Sequence, residues 1–334
     1  MDSRIPTSPP VIEPVAAGVY RPLWSVVIPT YNCIGWLRQT LESVLAQDPG
    51  PEKMQIEVID DCSTDGDVGA LVQELGKGRV AFYRQEVNRG SLRNFETALK
   101  RSRGYLVHLL HGDDLVLKGY YREMEKLFSL FPQAGAAFSR YAYIDDQNNI
   151  TPPGDALLNE PGIIEDFLYQ IAQKQMLQAC AMVVKRHVYE HLGSFYAVHY
   201  GEDWEMWARI AAHYPVAYSP VSLALYRGGQ GHASSITSNF LKTGQNIRDI
   251  QKVIDIMQGY LPKEKRKLLK RMAFRNFSRH YAKASNRIYY HNPRAALVQA
   301  KGALKMHQDI KTIYWVMKLY LLHFTKLISV NNHK

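Results

Sequence analysis

The amino-acid sequence predicts an α/β fold, a mixed and mainly parallel sheet flanked by helices, with a helical appendage at its C-terminal end. Three observations carry that expectation. Short apolar runs alternate with amphipathic stretches four times before residue 132, which is the pattern of strand and crossover helix in a parallel sheet. The strongest of these runs are continuously apolar, as in strands buried on both faces. From Leu261 to Lys334 the composition changes: 17 Lys or Arg stand against only Glu264 and Asp309.

With 334 residues and 46% apolar content, the chain can bury a large core and has room for one domain plus an appendage. The net charge of +10 sits in the tail, so residues 1–260 carry about −5. A basic tail suits an anionic surface, either lipid head groups or nucleic acid. No RRM, KH or zinc-finger pattern occurs, which speaks against nucleic acid. Cys33, Cys62 and Cys180 form no CxxC pair, which argues for a reducing compartment and against structural zinc. Residues 1–21 are proline-rich without an apolar core and read as a flexible lead-in, with no signal-peptide pattern. The expected divisions are 1–21, an α/β body at 22–236 and a basic helical region at 237–334.

The first strand is Trp24–Pro29, and Pro29, lacking an N–H, marks its exit into Thr30-Tyr31-Asn32. A helix follows on Leu37, Leu41, Val44 and Leu45, stopped by Asp48-Pro49-Gly50-Pro51. The second strand, Ile56–Ile59, ends on Asp60-Asp61-Cys62-Ser63-Thr64-Asp65-Gly66. Carboxylates there either accept hydrogen bonds from a nucleoside or belong to a turn in which Ser63 or Asp65 caps a helix. After a third strand at Val80–Arg84, Asn88-Arg89-Gly90 leads into a helix over Ser91–Arg101 on Leu92, Phe95 and Leu99. Arg89 and Arg93 near its start are either beside a bound phosphate or simply solvated.

The central stretch is Tyr105–Asp114, Tyr-Leu-Val-His-Leu-Leu-His-Gly-Asp-Asp. It predicts a buried strand that delivers two acids to the sheet edge where ligands bind. Adjacent carboxylates need a cation, a base or water to offset their repulsion. Asp113 and Asp114 therefore suggest a divalent cation and a phosphorylated substrate; the alternative is a solvated pair capping the next helix. That helix runs on Tyr121, Met124, Leu127, Phe128 and Phe131 to Pro132. A strand over Ala136–Ile144, a long loop over Asp145–Gly162, a strand over Ala179–Val184 and a short helix over Arg186–Leu192 come next.

Trp204, Trp207, Ala208 and Ala211 fall at helical spacing, so a helix begins at Glu202-Asp203. Acids in a first turn favour the helix dipole in any protein. Asp203, at the edge of the buried stripe, would also gain basicity by desolvation, which suits a general base. Val216–Tyr226 reads as a strand and Arg227–Ser235 as a glycine-rich loop. There Arg227 could pair with a diphosphate and His232 could complete a metal shell, although a lone histidine is a weak signal.

Taken together, Val26–Asn32, Asp60–Gly66, Asn88–Gly90, His111–Asp114, Glu202-Asp203 and Tyr226-Arg227 resemble, in order and spacing, the family 2 glycosyltransferases over roughly residues 22–236. The resemblance implies the GT-A fold, a Rossmann-like nucleotide-diphospho-sugar transferase. It implies that Pro29, Thr30, Tyr31 and Asn32, with Asp60 and Asp61, hold the nucleoside of a sugar donor, UDP-linked by family resemblance. It also implies that Asp113, with Asp114 nearby, holds Mn²⁺ or Mg²⁺ at the leaving diphosphate, and that Asp203 deprotonates an acceptor hydroxyl with inversion at the anomeric carbon. Asn88, Arg93 and Arg227 join the donor contacts, and His111 and His232 the metal candidates. His111 departs from the family pattern, which commonly has an acid there; Cys62 replaces a common glycine and reads as packing.

Such an enzyme is expected in the cytoplasm, at the inner face of the membrane, building envelope or surface polysaccharide on a glycan or lipid-linked acceptor. In the tail, Lys301, Lys305, Lys311, Lys318 and Lys326 fall within about 140° of one helical wheel, and Ile313, Trp315, Val316, Leu319, Leu322 and Leu327 are expected to populate the rest. This suggests either an interfacial helix or packing on the body or on a second subunit, as in a homo-oligomer. Two other function classes stay open: a metal-dependent nucleotidyltransferase, which would release pyrophosphate, and an inactive relative serving as a binding or assembly subunit.

Overall fold

The structure, a computed structural model, describes residues 4–228 and 236–331, without the side chains of 236–239 and 326–331. The chain forms two compact units: Met1–Phe167, Met176–Ala197 and Arg209–His232 make the first, and Leu168–Gln175, Val198–Ala208 and Ala233–Lys334 the second.

The first unit is built on one sheet of ten strands. In chain order these are β1 (Trp24–Thr30), β2 (Met54–Asp60), β3 (Ala81–Arg84), β4 (Leu106–Leu109), β5 (Leu115–Val116), β6 (Ala136–Ile144), β7 (Ile150–Thr151), β8 (Gly162–Ile163), β9 (Met182–Lys185) and β10 (Val216–Arg227). The order across the sheet is β3-β2-β1-β4-β9-β6-β10-β5, with β7 on β6 and β8 on β10. The long ladders, β1 with β2 and β6 with β10, are parallel; the antiparallel ones are short. Every residue of β1 and β2 is buried; the polar ones among them are matched, Ser25 donating to Gln55 and Glu57 accepting from Arg101. Helices α1 (Ile34–Leu45), α2 (Val68–Gly76), α3 (Ser91–Arg101), α4 (Tyr120–Leu130) and α6 (Arg186–Leu192) belong to this unit.

The second unit contains most of α5 (Phe167–Ile171), the first part of α7 (Glu202–His213), and α8 (Ile236–Thr243), α9 (Gln245–Met257), α10 (Lys263–Ile288), α11 (Pro293–Met306) and α12 (Ile310–Asn331). Small residues let these helices approach closely. Ser278 Oγ of α10 reaches the carbonyls of Ala303 and His307 at 2.9 and 2.7 Å, and a Cβ on Gly302 would lie 2.3 Å from Ile247. Among the described residues no helix is long and apolar enough to cross a membrane.

Four expectations change. The run predicted as a strand over Ala179–Val184 opens with a 3₁₀ turn, Ala179–Ala181, and only then enters β9, which inserts antiparallel between β4 and β6. The loop over 145–162 carries β7 and the first residue of β8. The lysine wheel drawn through 301–326 fails, because α11 ends at Met306 and α12 starts anew at Ile310. Asp309 makes that break: its carboxylate accepts the Thr312 N–H at 2.8 Å, as a helix cap does.

The proline-rich lead-in is also laid down along the first unit rather than left loose. Ile12 is 1% exposed, and the carbonyls of Pro6, Pro10 and Glu13 accept hydrogen bonds from Ala197 N, Ser194 N and the Arg186 guanidinium. Proline holds such a segment extended with its carbonyls outward, so little further ordering is needed to pair them.

Candidate functional site

The chain runs outward from β1 to β2 and β3, then returns to β4 on the other flank of β1. That reversal makes a switch point, and the carboxyl ends of β1 and β4 open into the crevice where ligands bind in such sheets.

Beside it, the loop after β2 is tied down by its own side chains. Asp60 is fully buried; its carboxylate accepts from Ser63 N (3.1 Å), Ser63 Oγ (2.5 Å) and the Arg84 guanidinium. Asp61 accepts Arg89 N–H at 2.7 Å and Gly90 N–H at 2.8 Å, one on each oxygen. Burial raises the Asp61 pKa, and those two N–H groups oppose the rise. Asn88 Nδ2 donates to the Asp61 carbonyl at 3.1 Å, and the Asn88 carbonyl accepts from Arg4 at 3.1 Å. Asn32, at φ +48°, joins this loop to the end of β1: its N–H donates to Ser63 Oγ (2.9 Å) and its Oδ1 accepts Thr64 N–H (2.8 Å). Thr30 is buried while the Tyr31 ring stays 42% exposed. Arg93, in the first turn of α3, pairs with Glu96 at 2.7 Å.

The acid turn after β4 continues the pairing with β1, through Leu110 N–H to Val27 O (3.1 Å) and Gly112 N–H to Pro29 O (3.1 Å). A Cβ on Gly112 would lie 2.8 Å from Thr30 Oγ1 and 3.0 Å from Cys33 Sγ, so glycine alone lets the turn lie this close. Asp114 N–H closes the turn on His111 O at 3.1 Å, and Thr40 Oγ1 donates to Asp114 O at 2.8 Å. Ligand atoms of His111, Asp113 and Asp114 lie within 4.8 Å of one another.

Asp114 Oδ1 accepts the Arg227 N–H at 2.8 Å, whereas Oδ2 is buried and meets no N–H or O–H donor; the Cys180 thiol is the weak donor facing the carboxyl. Burial first and then the charge of Asp113 push the Asp114 pKa well above the carboxylate range. His111 stacks on Phe95 with ring centroids 5.2 Å apart, and burial lowers its pKa. Two carboxylates and one imidazole, with His111 Nδ1 3.9 Å from a buried Asp114 Oδ2 that no N–H or O–H reaches, fit a divalent cation such as Mn²⁺ or Mg²⁺.

Arg227 is 2% exposed and its guanidinium faces inward. Nε donates to Asp113 O (2.9 Å), Nη1 to Asp145 O (2.7 Å) and Nη2 to Gln39 Oε1 (2.9 Å), over the Trp36 ring at 4.2 Å. This clamps the backbone of the acid turn.

In the second unit Asp203 occupies the first turn of α7. Its Oδ1 accepts the Trp204 N–H at 2.7 Å and its Oδ2 the Gln175 amide at 2.7 Å. Trp204 is fully buried, its indole N–H on Ile171 O at 2.7 Å, and Glu202 stands next in the chain. Desolvation raises the Asp203 pKa to about 6 against the pull of those hydrogen bonds.

The profile of the family described as "Glycosyl transferase family 2" matches residues 25–193, just over half of the sequence. The chain belongs to glycosyl transferase family 2. This glycosyltransferase is 31% identical over 166 residues to the putative teichuronic acid biosynthesis glycosyltransferase TuaG of Bacillus subtilis, covering 49% of this chain and 62% of TuaG. Its fold is that of solved GT-A enzymes. It superposes on S. aureus TarS in complex with UDP-GlcNAc with a TM-score of 0.62 at 16% identity, covering 92% of this chain and 88% of TarS 1-349. On the Pyrobaculum calidifontis mannosyltransferase PcManGT, solved with GDP-Man and Mn²⁺, the TM-score is 0.57 at 18% identity, with 95% and 83% covered.

Within the first unit of this glycosyltransferase, Pro29–Asn32, Asp60, Asp61 and Asn88 converge on one loop cluster, and His111, Asp113 and Asp114 on the adjoining turn. Arg93 lies on α3 in its own ion pair, and His232 lies outside the described residues. Sequence reading missed Arg84 on Asp60, Arg4 on the Asn88 carbonyl, Trp36 beneath Arg227 and Gln175 on Asp203. Each acts from a distant part of the chain with no local pattern to announce it; only the shared acid-loop acid–basic chemistry of Arg84 in a strand next to Asp60 offered a hint.

Proposed function

We propose that the protein is an inverting glycosyltransferase that moves a sugar from a UDP-linked donor to a hydroxyl of a glycan or lipid-linked acceptor. The observation that carries this is the cluster of His111, Asp113 and Asp114 at the sheet's switch point, where the buried Asp114 Oδ2 meets no N–H or O–H donor and has His111 Nδ1 3.9 Å away. The names of relatives support the donor class, since the TarS structure holds UDP-GlcNAc.

In this reading Asp61 and the Thr30–Asn32 segment hold the nucleoside. Each Asp61 oxygen has one N–H from the protein and keeps a lone pair for a further donor. Arg227 works on the acid turn, fixing its backbone, rather than on the diphosphate. His111, Asp113 and Asp114 would hold Mn²⁺ or Mg²⁺, which supplies electrostatic stabilisation to the departing diphosphate. Asp203 takes the proton from the acceptor hydroxyl; Gln175 and the Trp204 N–H orient its carboxylate, and burial makes it more basic than an exposed aspartate. A lipid-linked acceptor would bring the enzyme to the inner face of the cell membrane.

Calorimetric titration with UDP, GDP and dTDP, each with and without Mn²⁺, tests the donor reading. Binding of UDP that requires Mn²⁺ is the expected outcome. Absence of binding by every nucleotide in both conditions would favour an inactive relative, the reading to which His111 in place of an acid points.

A further inference from the structure

We propose that α12 lies on an anionic lipid surface, seated through an apolar face that the fold leaves uncovered. Thr312, Val316 and Leu319 point to one side of the helix and are 0–3% exposed. Ile313, Tyr314, Met317, Tyr320, Leu321 and Phe324 point to the other and are 41–64% exposed; at 100° per residue they fill an arc of about 120°. Single exposed apolar side chains are ordinary, but six large ones in one arc of one helix form a contiguous patch, which marks a surface for docking. The face differs from the one the continuous wheel suggested, because Val316 and Leu319 are used inside the unit.

Charge selects the occupant. Lys311 and Lys318, both exposed, line one flank of the arc. Lys318 and Lys283 of α10 stand 5.2 and 6.0 Å from the Trp315 ring centroid, which gathers three ammonium groups on that flank. No Asp or Glu occurs from Ile310 to Asn331, and Asp309 is paired with Arg279 at 2.5 Å. A two-fold pairing of α12 with α12 of a second copy would bring the same lysines against these, with nothing acidic on that helix to meet them. A bilayer with anionic head groups satisfies both parts, taking apolar and aromatic side chains at the head-group boundary and the lysines among its phosphates. No described helix can span, so α12 would lie in the interface. The inference rests on the surface of α12 alone and stands or falls apart from the donor reading.

The test is co-sedimentation of the full chain with vesicles of phosphatidylcholine and with vesicles of equal parts phosphatidylcholine and phosphatidylglycerol. The expected result is sedimentation with the anionic vesicles, weakened by added salt. Met317→Glu/Leu321→Glu should lower the partition coefficient by about tenfold or more, since two large apolar groups leave the interface. Lys311→Glu/Lys318→Glu should reduce anionic binding toward the phosphatidylcholine level. All four positions are exposed, so folding is expected to hold, and circular dichroism with thermal melting in vesicle-free buffer checks it. Three results would overturn the proposal: no sedimentation with either vesicle, sedimentation that Met317→Glu/Leu321→Glu leaves unchanged, or a dimer in analytical ultracentrifugation that this variant splits.

Discussion

Two pairs of adjacent aspartates follow β2 and β4, the parallel strands on either side of β1, and the chain treats them in opposite ways. Asp60 and Asp61, after β2, are supplied by the protein itself: a serine, an arginine and three backbone N–H groups face their four oxygens. Asp114, after β4, is as buried as Asp60 yet keeps one oxygen without an N–H or O–H donor, beside a second acid and a histidine. An identical dipeptide at an equivalent sheet edge is thus a hydrogen-bonded fastening in one place and, in the other, holds a buried oxygen that no N–H or O–H reaches. The dipeptide does not decide this; the donors around it do.

Variants can break or sharpen that contrast. The largest loss is expected outside both pairs, where Asp203→Asn should cut transfer by about 10²–10⁴-fold and leave UDP affinity intact; near-normal turnover would remove Asp203 from the base role. Asp113→Ala should cost about 10²–10³-fold in rate and weaken Mn²⁺-dependent nucleotide binding, and an unchanged metal requirement would take Asp113 out of the ligand set. Because burial raises the Asp203 carboxyl to about 6 and a base must be deprotonated, kcat/KM should fall about tenfold per unit as pH drops below that value. A profile flat down to the ordinary aspartate range would contradict it.

The fastening pair should show up in stability. Asp60→Ala leaves Arg84 and Ser63 donors unmet and should lower urea-measured stability by about 1–3 kcal/mol, toward the lower end because Arg84 is 42% exposed. Asp114→Asn gives the smallest change, under about 1 kcal/mol in metal-free protein, since the oxygen altered has no N–H or O–H donor to lose. A larger drop for Asp114→Asn than for Asp60→Ala would erase the distinction.

Much of the sheet was legible because its strands write short runs rich in apolar and β-branched residues, and β1, β2, β4 and β6 each sit where such a run occurs. The acid turn was legible because Gly112 and two aspartates directly follow one of them. Pairing was less so. β9 takes its place between β4 and β6 through partners some 45 and 75 residues away in the chain, a choice made by long-range packing that leaves no local mark. The break between α11 and α12 was hidden for another reason: a wheel presumes one unbroken helix, and Asp309, the residue that ends that presumption, looks in sequence like an isolated surface acid. The N-terminal strap escaped because proline-rich composition signals extension, and extension is shared by loose and by docked segments.

The contact of Gly112 with Thr30 and Cys33 has a thermodynamic reach. It packs the turn that bears Asp113 and Asp114 against the end of the strand whose next residues, Tyr31 and Asn32, face the nucleoside in the proposed reading. With no slack between them, ordering either segment orders the other, so nucleotide and cation should each tighten the other by the same factor. Widening that contact with Gly112→Ala would be expected to uncouple the two affinities while sparing each carboxylate.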